Sequence, residues 1–263
     1  MIELFSIYKY AFLLCPLVSV VLCVFGTHLV SRNESLQLMA LSQATLVGKI
    51  IGSLILEKND LFSLLFSLIF FALVKVSFIS FRVVREQVYI VVYLSFIALT
   101  YVAVTLFPAL DSHFSVGFFG DIVSISSQRS IVLSFIFLIL LVVYIVFHKT
   151  LLRSTINKSV LNSRRIKIYE EVFFITGILL SLYDLGFLFS LAFLIFPVLI
   201  AGHAFKNMRQ GLLVMAIVSG LSSICGLVIS IINSRVSTVP AQVLFLIVFL
   251  LIVQLLFSKF RRT

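Results

Sequence analysis

The sequence predicts an all-α fold, a polytopic integral membrane helix bundle, and three observations lead to that prediction. Hydrophobic residues make up 62% of the 263 residues and charged residues only 11%, whereas soluble domains are close to half apolar and about a quarter charged. Apolar runs of about 20 residues, long enough to cross a hydrocarbon core of roughly 30 Å, recur along the whole chain. These runs lack the alternating ten-residue pattern of membrane β-barrel strands.

Nine apolar segments can be marked along the chain. They cover residues 10–30, 36–56, 61–80, 88–108, 130–148, 168–183, 186–203, 211–233 and 240–258. Only Tyr183-Asp184-Leu185-Gly186 separates the sixth segment from the seventh, so this pair could be two short spans or one broken unit. The sequence therefore predicts about nine spans, with eight as the competing count.

The placement of lysine and arginine predicts the orientation of the chain. Fourteen of the twenty cations fall in one set of connections, four fall in the opposite set, and Lys49 and Lys75 lie within spans. Because cytoplasmic connections collect Lys and Arg, we predict that the richer set is cytoplasmic. A nine-span path then puts the N-terminus outside and the C-terminus inside.

Two connections stand out among those between the spans. The predicted external loop, 109–129, carries Asp111, His113 and Asp121; weak metal collection is one interpretation, and a solvated loop is the favoured one. The predicted cytoplasmic connection, 149–167, carries six cations and no acid. It could be a bare solvated loop or a short helix on the cytoplasmic face. It suits contact with a soluble partner, and attraction to lipid headgroups is the alternative.

No motif in the sequence indicates an enzyme. The zinc-protease H-E-x-x-H, the Walker loop and the nucleophile elbow are absent from the sequence. Glu170-Glu171 resembles the start of an intramembrane protease motif, but Ile175 stands where its arginine belongs. We interpret the two acids as residues at a helix N-terminus, where negative charge is favourable.

Histidine and cysteine form no metal site that the sequence reveals. No two of the four histidines have a metal-ligand spacing, and His28, His148 and His203 fall near span ends, where an amphipathic ring is well placed. The three cysteines lie singly within apolar runs and are expected to behave as small apolar residues.

The second segment, 36–56, is the most polar span. Its polar and small side chains share one broad arc at about 100° per residue, and Met39 and Gln43 lie on the neighbouring stripe. The arc comprises Gln37, Ser42, Thr45, Gly48, Lys49, Gly52 and Ser53. Because such an arc is costly toward lipid, this helix should line a cavity or pack inside the bundle. The spacing Gly48-x-x-x-Gly52 allows close helix packing.

Three stretches of the chain resemble the permeases of the zinc- and manganese-type ABC importers. From Arg32 to Gly52 the family tends to read R-x-x-S-L, D-A-L-S-H-A and then Pro-Gly. Residues 118–126, FFGDIVSIS, are similar to the family's F-G-D-I-L-x-V-S. From Phe189 to Leu244 the chain has Phe196-Pro197 and then SGLSSICGLVIS, similar to G-x-x-S-x-x-G-L-x-x-S. The order and spacing match across nearly the whole chain.

The resemblance implies a single transmembrane permease domain over residues 1–263, and a set of partners. Such permeases pair as two copies, dock two cytoplasmic ABC ATPase subunits and receive metal from an extracytoplasmic metal-binding protein. The connection after the fifth span carries the coupling helix, which corresponds to 149–167. The cations expected to contact the ATPase are Arg153, Lys158, Arg164 and Arg165. The chain itself would be no enzyme and need no cofactor, and it would contact lipid but no nucleic acid, in a bacterial cell membrane.

The chain departs from this family at the positions that handle metal. The family's Asp and His in the second span align with Met39 and Gln43, and neither is a strong ligand for zinc or manganese. The family's Asp after the third motif aligns near Ser234, next to Asn233. We therefore take six residues as candidates for the substrate pathway: Met39, Ser42, Gln43, Lys49, Asn233 and Ser234.

Two functional hypotheses follow from the resemblance and the departures. The leading one is a permease that imports a divalent metal ion, zinc or manganese, driven by ATP hydrolysis in a partner subunit. The alternative is a degenerate, non-ligating half that pairs with an active permease, so a homodimer and a heterodimer both stay open. Lys49 has three possible roles: it holds a helix contact, repels a passing ion, or merely reaches toward water.

Overall fold

The structure is a computed structural model, and it describes residues 8–55, 60–80, 86–107, 111–120, 122, 125–156, 164–205, 207–233 and 236–262. Across these ranges the chain forms helices and turns and no β-strand. The predicted all-α class is therefore confirmed. Helices are the expected solution, because a membrane interior leaves backbone polar groups no water to bind.

Ten α-helices lie within the described part of the chain. They are α1 Lys9–Ser31, α2 Ser35–Ile55, α3 Asp60–Ser80, α4 Glu86–Leu106, α5 Asp111–Phe119, α6 Ser127–Ile156, α7 Arg164–Leu185, α8 Phe187–Phe196, α9 Met208–Ile232 and α10 Thr238–Arg262. After α8 the chain continues as a π-helical turn, Pro197–Ala201, and a 3₁₀ turn, Gly202–Ala204. The α ladder changes at Pro197 because proline donates no backbone hydrogen bond and crowds the preceding turn.

Eight helical stretches among the described residues are long and apolar enough to cross a membrane. Of the nine predicted segments, only 168–183, which lies within α7, is not among these eight candidate spans of the described residues. Its C-terminal eighteen residues carry three acids, Glu170, Glu171 and Asp184, and are therefore less apolar. The lower of the two predicted counts is the one that these apolar helices support, although α7 is a helix of its own, separated from α8 by Gly186.

The chain divides into two compact units, the first formed by residues 1–32, 121–178 and 189–263. In this unit α1 packs against α6 and α9, and α9 packs against α10. Two glycines bring backbones into direct contact: a Cβ on Gly26 would lie 1.6 Å from the carbonyl oxygen of Leu194, and a Cβ on Gly226 would lie 2.4 Å from the Cα of Gln242.

The second unit comprises residues 33–120 and 179–188, and α2 is its central helix. This helix packs against α3, α4 and α5. A Cβ on Gly48 would lie 2.6 Å from the carbonyl oxygen of Phe66, and a Cβ on Gly52 would lie 2.6 Å from the Cα of Ser63. The predicted close packing at these two glycines is thus confirmed, with α3 as the partner helix.

Both long connections contain more helix than the sequence indicated. The stretch 109–129, expected to be a loop, includes the nine-residue helix α5. In the stretch 149–167, α6 continues to Ile156 and α7 already begins at Arg164. Polar residues thus extend α6 and α7 beyond the apolar segments that were marked in the sequence. Residues 157–163, between these two helices, lie outside the described part of the chain.

Candidate substrate pathway and coupling segment

The polar side chains of α2 are largely satisfied within their own helix. Ser42 Oγ donates to the carbonyl of Leu38 at 2.5 Å, and Thr45 Oγ1 donates to the carbonyl of Leu41 at 2.9 Å. Both hydroxyls are buried. Such bonds remove the cost of a hydroxyl away from water, so Ser42 is accommodated in the packed helix without any ligand.

Met39 and Gln43 occupy the positions that the resemblance assigns to the metal-handling Asp and His. Met39 is half-buried, and Gln43 is 1% exposed. No described residue accepts a hydrogen bond from Gln43 Nε2. A buried polar group without a partner costs about 1–3 kcal/mol. The structure therefore leaves an amide donor without a described acceptor at the position that the resemblance assigns to a histidine.

Lys49 makes a helix-to-helix contact. Its Nζ donates a hydrogen bond to the carbonyl oxygen of Tyr183 at 2.6 Å and lies 4.8 Å from the centre of the Tyr183 ring. Tyr183 belongs to the last turn of α7, where the helix dipole is negative. Of the three roles left open by the sequence, the structure shows the helix contact.

The break between α7 and α8 is built on two glycines. Gly186 and Gly120 both have positive φ, 89° and 78°, and a Cβ on Gly186 would lie 2.6 Å from the Cα and the N of Gly120. Beside them the Phe118 ring stacks on the Phe187 ring, with centroids 5.2 Å apart. The motif at 118–126 therefore has a structural role here, because its first residues support the break.

Asn233 belongs to the first unit. It is exposed and ends α9, with its backbone N–H donating to the carbonyl of Ile229 at 2.8 Å. Ser234, the last pathway candidate, lies outside the described residues. The other four candidates, Met39, Ser42, Gln43 and Lys49, are on α2 in the second unit.

The four candidate cations for ATPase contact are distributed around the α6–α7 connection. Arg153 is exposed in the last turn of α6. Arg164 and Arg165 are the first two residues of α7. Lys158 lies between the helices, outside the described part of the chain.

A buried polar network joins α1, α6 and α7, and the sequence did not reveal it. Arg32 Nη2 forms an ion pair with Glu170 Oε1, and these side chains are only 11% and 6% exposed. Arg32 Nη2 also donates to Thr155 Oγ1 at 3.3 Å. His28 bonds through Nδ1 to Thr155 Oγ1 at 2.7 Å and through Nε2 to the Tyr144 hydroxyl at 3.1 Å.

This network corrects two interpretations from the sequence. His28 lies in the last turn of α1, near the span end as expected, but its ring is fully buried and hydrogen-bonded, so it is not an interfacial ring. Glu170 lies in the second turn of α7, which begins at Arg164, so its carboxylate neutralises Arg32 instead of the helix N-terminus. The sequence signal was an acid on the side that charge placement predicts to be cytoplasmic and rich in cations, and this signal does not identify Arg32 as the partner.

A ready-made metal centre is not found in the described residues, where no three His, Cys, Asp or Glu side chains could hold one ion together. Of the remaining histidines, His148 bonds through Nδ1 to the carbonyl of Ile145 at 2.8 Å. His203 is exposed in the 3₁₀ turn after α8. The backbone of His113 lies in α5.

Comparison with known proteins assigns the chain to a family. The family model described as the ABC 3 transport family matches residues 5–257. No curated protein matches the sequence. Among solved structures the chain is similar to "PsaBC from Streptococcus pneumoniae in complex with Fab", with a TM-score of 0.77 and 20% identity over 96% of this chain and 95% of that chain. At this identity the likeness shows the fold alone. With the family match extending over nearly the whole chain and apolar helices throughout, the protein belongs to the ABC 3 transport family and is a multi-pass membrane permease.

Proposed function

We propose that this chain is the permease subunit of an ABC importer for a divalent metal ion, zinc or manganese, driven by ATP hydrolysis in a partner subunit. The match of residues 5–257 to the ABC 3 transport family carries the proposal. The three motif stretches, which resemble zinc- and manganese-type permeases in order and spacing, favour a metal as cargo.

The proposal includes a defined set of partners. Residues 1–263 act as one permease domain in a bacterial cell membrane, and two copies of a permease form the membrane pore. A metal-binding protein delivers cargo from outside, and two ATPase subunits dock at 149–167 on the cytoplasmic side. Six cations without an acid in that connection support its cytoplasmic placement and its role as a contact surface.

In this function α2 supplies the candidate pathway. Its middle is tightly packed, and the two ligand positions carry a thioether and an amide. These groups bind hard or borderline divalent ions weakly. The metal ion would therefore pass along α2 without a strong binding site on this helix, or it would bind to ligands supplied by another chain.

Metal uptake tests the main proposal. The gene is deleted, and cellular zinc, manganese and iron are measured under starvation for each metal. We expect zinc or manganese content to fall, and to recover when the gene is supplied in trans. Unchanged content of all three metals would contradict the proposal.

A second candidate function is favoured by the ligand positions on α2. The chain would then be a non-ligating half that pairs with a ligand-bearing permease. Affinity purification of the tagged chain with its ATPase distinguishes the two: this candidate predicts a second, different permease in the complex. A pure homodimer with ATPase that transports metal in vesicles excludes it.

A further inference from the structure

One guanidinium contacts both ends of the connection between α6 and α7. Thr155 stands one residue before the end of α6, and Glu170 stands in the second turn of α7. Arg32 Nη2 reaches both side chains, as a donor to the hydroxyl and as the cation of the ion pair. The two helix ends that flank residues 157–163 are thus tied to a single side chain.

The contact is buried and further supported. Both charged side chains are about nine-tenths buried, and the guanidinium lies 5.8 Å from the centre of the Phe174 ring. Thr155 donates its own proton to the carbonyl of Leu151 at 2.8 Å, so it accepts from both Arg32 and His28. A buried pair of this kind leaves an uncompensated charge when one partner is removed, so loss of either side chain is strongly destabilising.

Arg32 also occupies a special position in the chain. It follows the last residue of α1, and only Asn33 and Glu34 separate it from α2. Asn33 has a φ of 60°, a left-handed conformation that asparagine adopts more readily than most residues. Arg32 is therefore part of a tight turn that leads directly into the candidate pathway helix.

We infer that Arg32 is a positioning residue that anchors the coupling segment, 149–167, to the turn before α2. This inference rests on the proposed function. When the ATPase displaces the coupling segment, the movement reaches the turn before α2 only if the ends of α6 and α7 are both held by Arg32. Without that anchor the connection between the two helices would absorb the movement. Charged networks between rigid helices can carry such coupling. The partner whose movement is transmitted is the ATPase subunit.

The test uses the assembled complex of permease, ATPase and binding protein in lipid vesicles. The variants are Arg32→Glu, Glu170→Arg and the double exchange, with Arg209→Ala, an exposed arginine on α9, as the control. The readout is the ratio of ATP hydrolysis with loaded binding protein to hydrolysis without it. We expect each single exchange to lower this ratio by about fivefold or more, the scale of typical coupling between sites.

The double exchange separates coupling from a loss of folding. It restores opposite charges at the same two positions, so we expect it to recover a large part of the ratio. A milder variant, Thr155→Val, removes only the bridging hydroxyl and should lower the ratio less. If the single exchanges keep the ratio of the control, or if the double exchange folds and assembles without any recovery, the inference is wrong.

A measurement that needs no cargo distinguishes this inference from the proposed function. Hydrogen exchange of the purified permease should increase in 151–156 and 164–170 for Arg32→Glu and not for Arg209→Ala. Unchanged exchange in both segments would overturn the anchoring role. A wild-type complex that hydrolyses ATP but moves no metal would contradict the proposed function, and the exchange result would still decide on the anchor.

Discussion

Lys49 Nζ, in the middle of α2, donates a hydrogen bond to the carbonyl oxygen of Tyr183 at 2.6 Å, in the last turn of α7. The bond joins residues 134 positions apart in the chain. It offsets part of the cost of placing a cation inside an apolar helix, because the carbonyl belongs to the negative end of a helix dipole.

Replacement of Lys49 by methionine should destabilise the protein and lower metal uptake. The variant keeps the length of the side chain and loses the charged hydrogen bond, which contributes about 1.5–3 kcal/mol. Thermal unfolding in detergent and uptake in cells measure the two effects. Lys9→Met, at the exposed first residue of α1, is the control. Wild-type uptake and protein level in both Lys49→Met and Lys49→Ala would show that the lysine is not needed.

Replacement of Gly186 by alanine should weaken the break between α7 and α8. The positive φ alone costs about 1–3 kcal/mol for a residue with a side chain, and the new Cβ would meet the Gly120 backbone at 2.6 Å. We expect a lower unfolding temperature and reduced uptake. Gly202→Ala is a matched control, since its Cβ would lie 3.4 Å from Val198 Cγ1, an ordinary contact. Equal unfolding temperatures for the two variants would contradict the expected clash between a side chain at position 186 and the Gly120 backbone.

Replacement of Gln43 by leucine separates stability from function. Because Gln43 Nε2 has no partner among the described residues, its removal should leave the free energy of unfolding unchanged or raise it by about 1 kcal/mol. Gln242→Leu should have the opposite effect, since Gln242 Nε2 donates to the carbonyl of Ser223 at 2.9 Å. A Gln43→Leu variant that is stable but has reduced uptake indicates that the amide contacts cargo; a stable variant with full uptake excludes this role.

Charge reversal at the coupling segment should weaken ATPase docking. We expect Arg153→Glu combined with Lys158→Glu to lower the affinity of the ATPase for the permease, and the wild-type affinity to fall as salt rises, because exposed charges are screened beyond about 10 Å at 0.1 M. Binding to permease in nanodiscs measures both effects. Lys9→Glu, on the predicted outer side, is the control. If the affinity of the ATPase for the wild-type permease does not depend on salt concentration, the contact is not electrostatic.

Much of the fold could be predicted because membrane helices leave a local signal. Eight of the nine marked segments correspond to apolar helices, and Gly48 and Gly52 correctly indicated close packing. The two segments that flank 149–167 were marked too short, because their helices continue into polar residues where water can solvate them. Lys49 was singled out from the sequence, but its partner was not.

By itself, the sequence determined the membrane environment, the helical class and the resemblance that the family match supports. These depend on composition, periodicity and motif order, which are local or additive properties of the chain. Only the tertiary structure decided which distant residues meet: Lys49 with Tyr183, Gly120 with Gly186, and Arg32 with Glu170 across 138 residues. The physical reason is that a buried charge is stabilised by one specific neighbour, and a close backbone approach needs a glycine where two segments meet. Packing brings these partners together from distant parts of the chain.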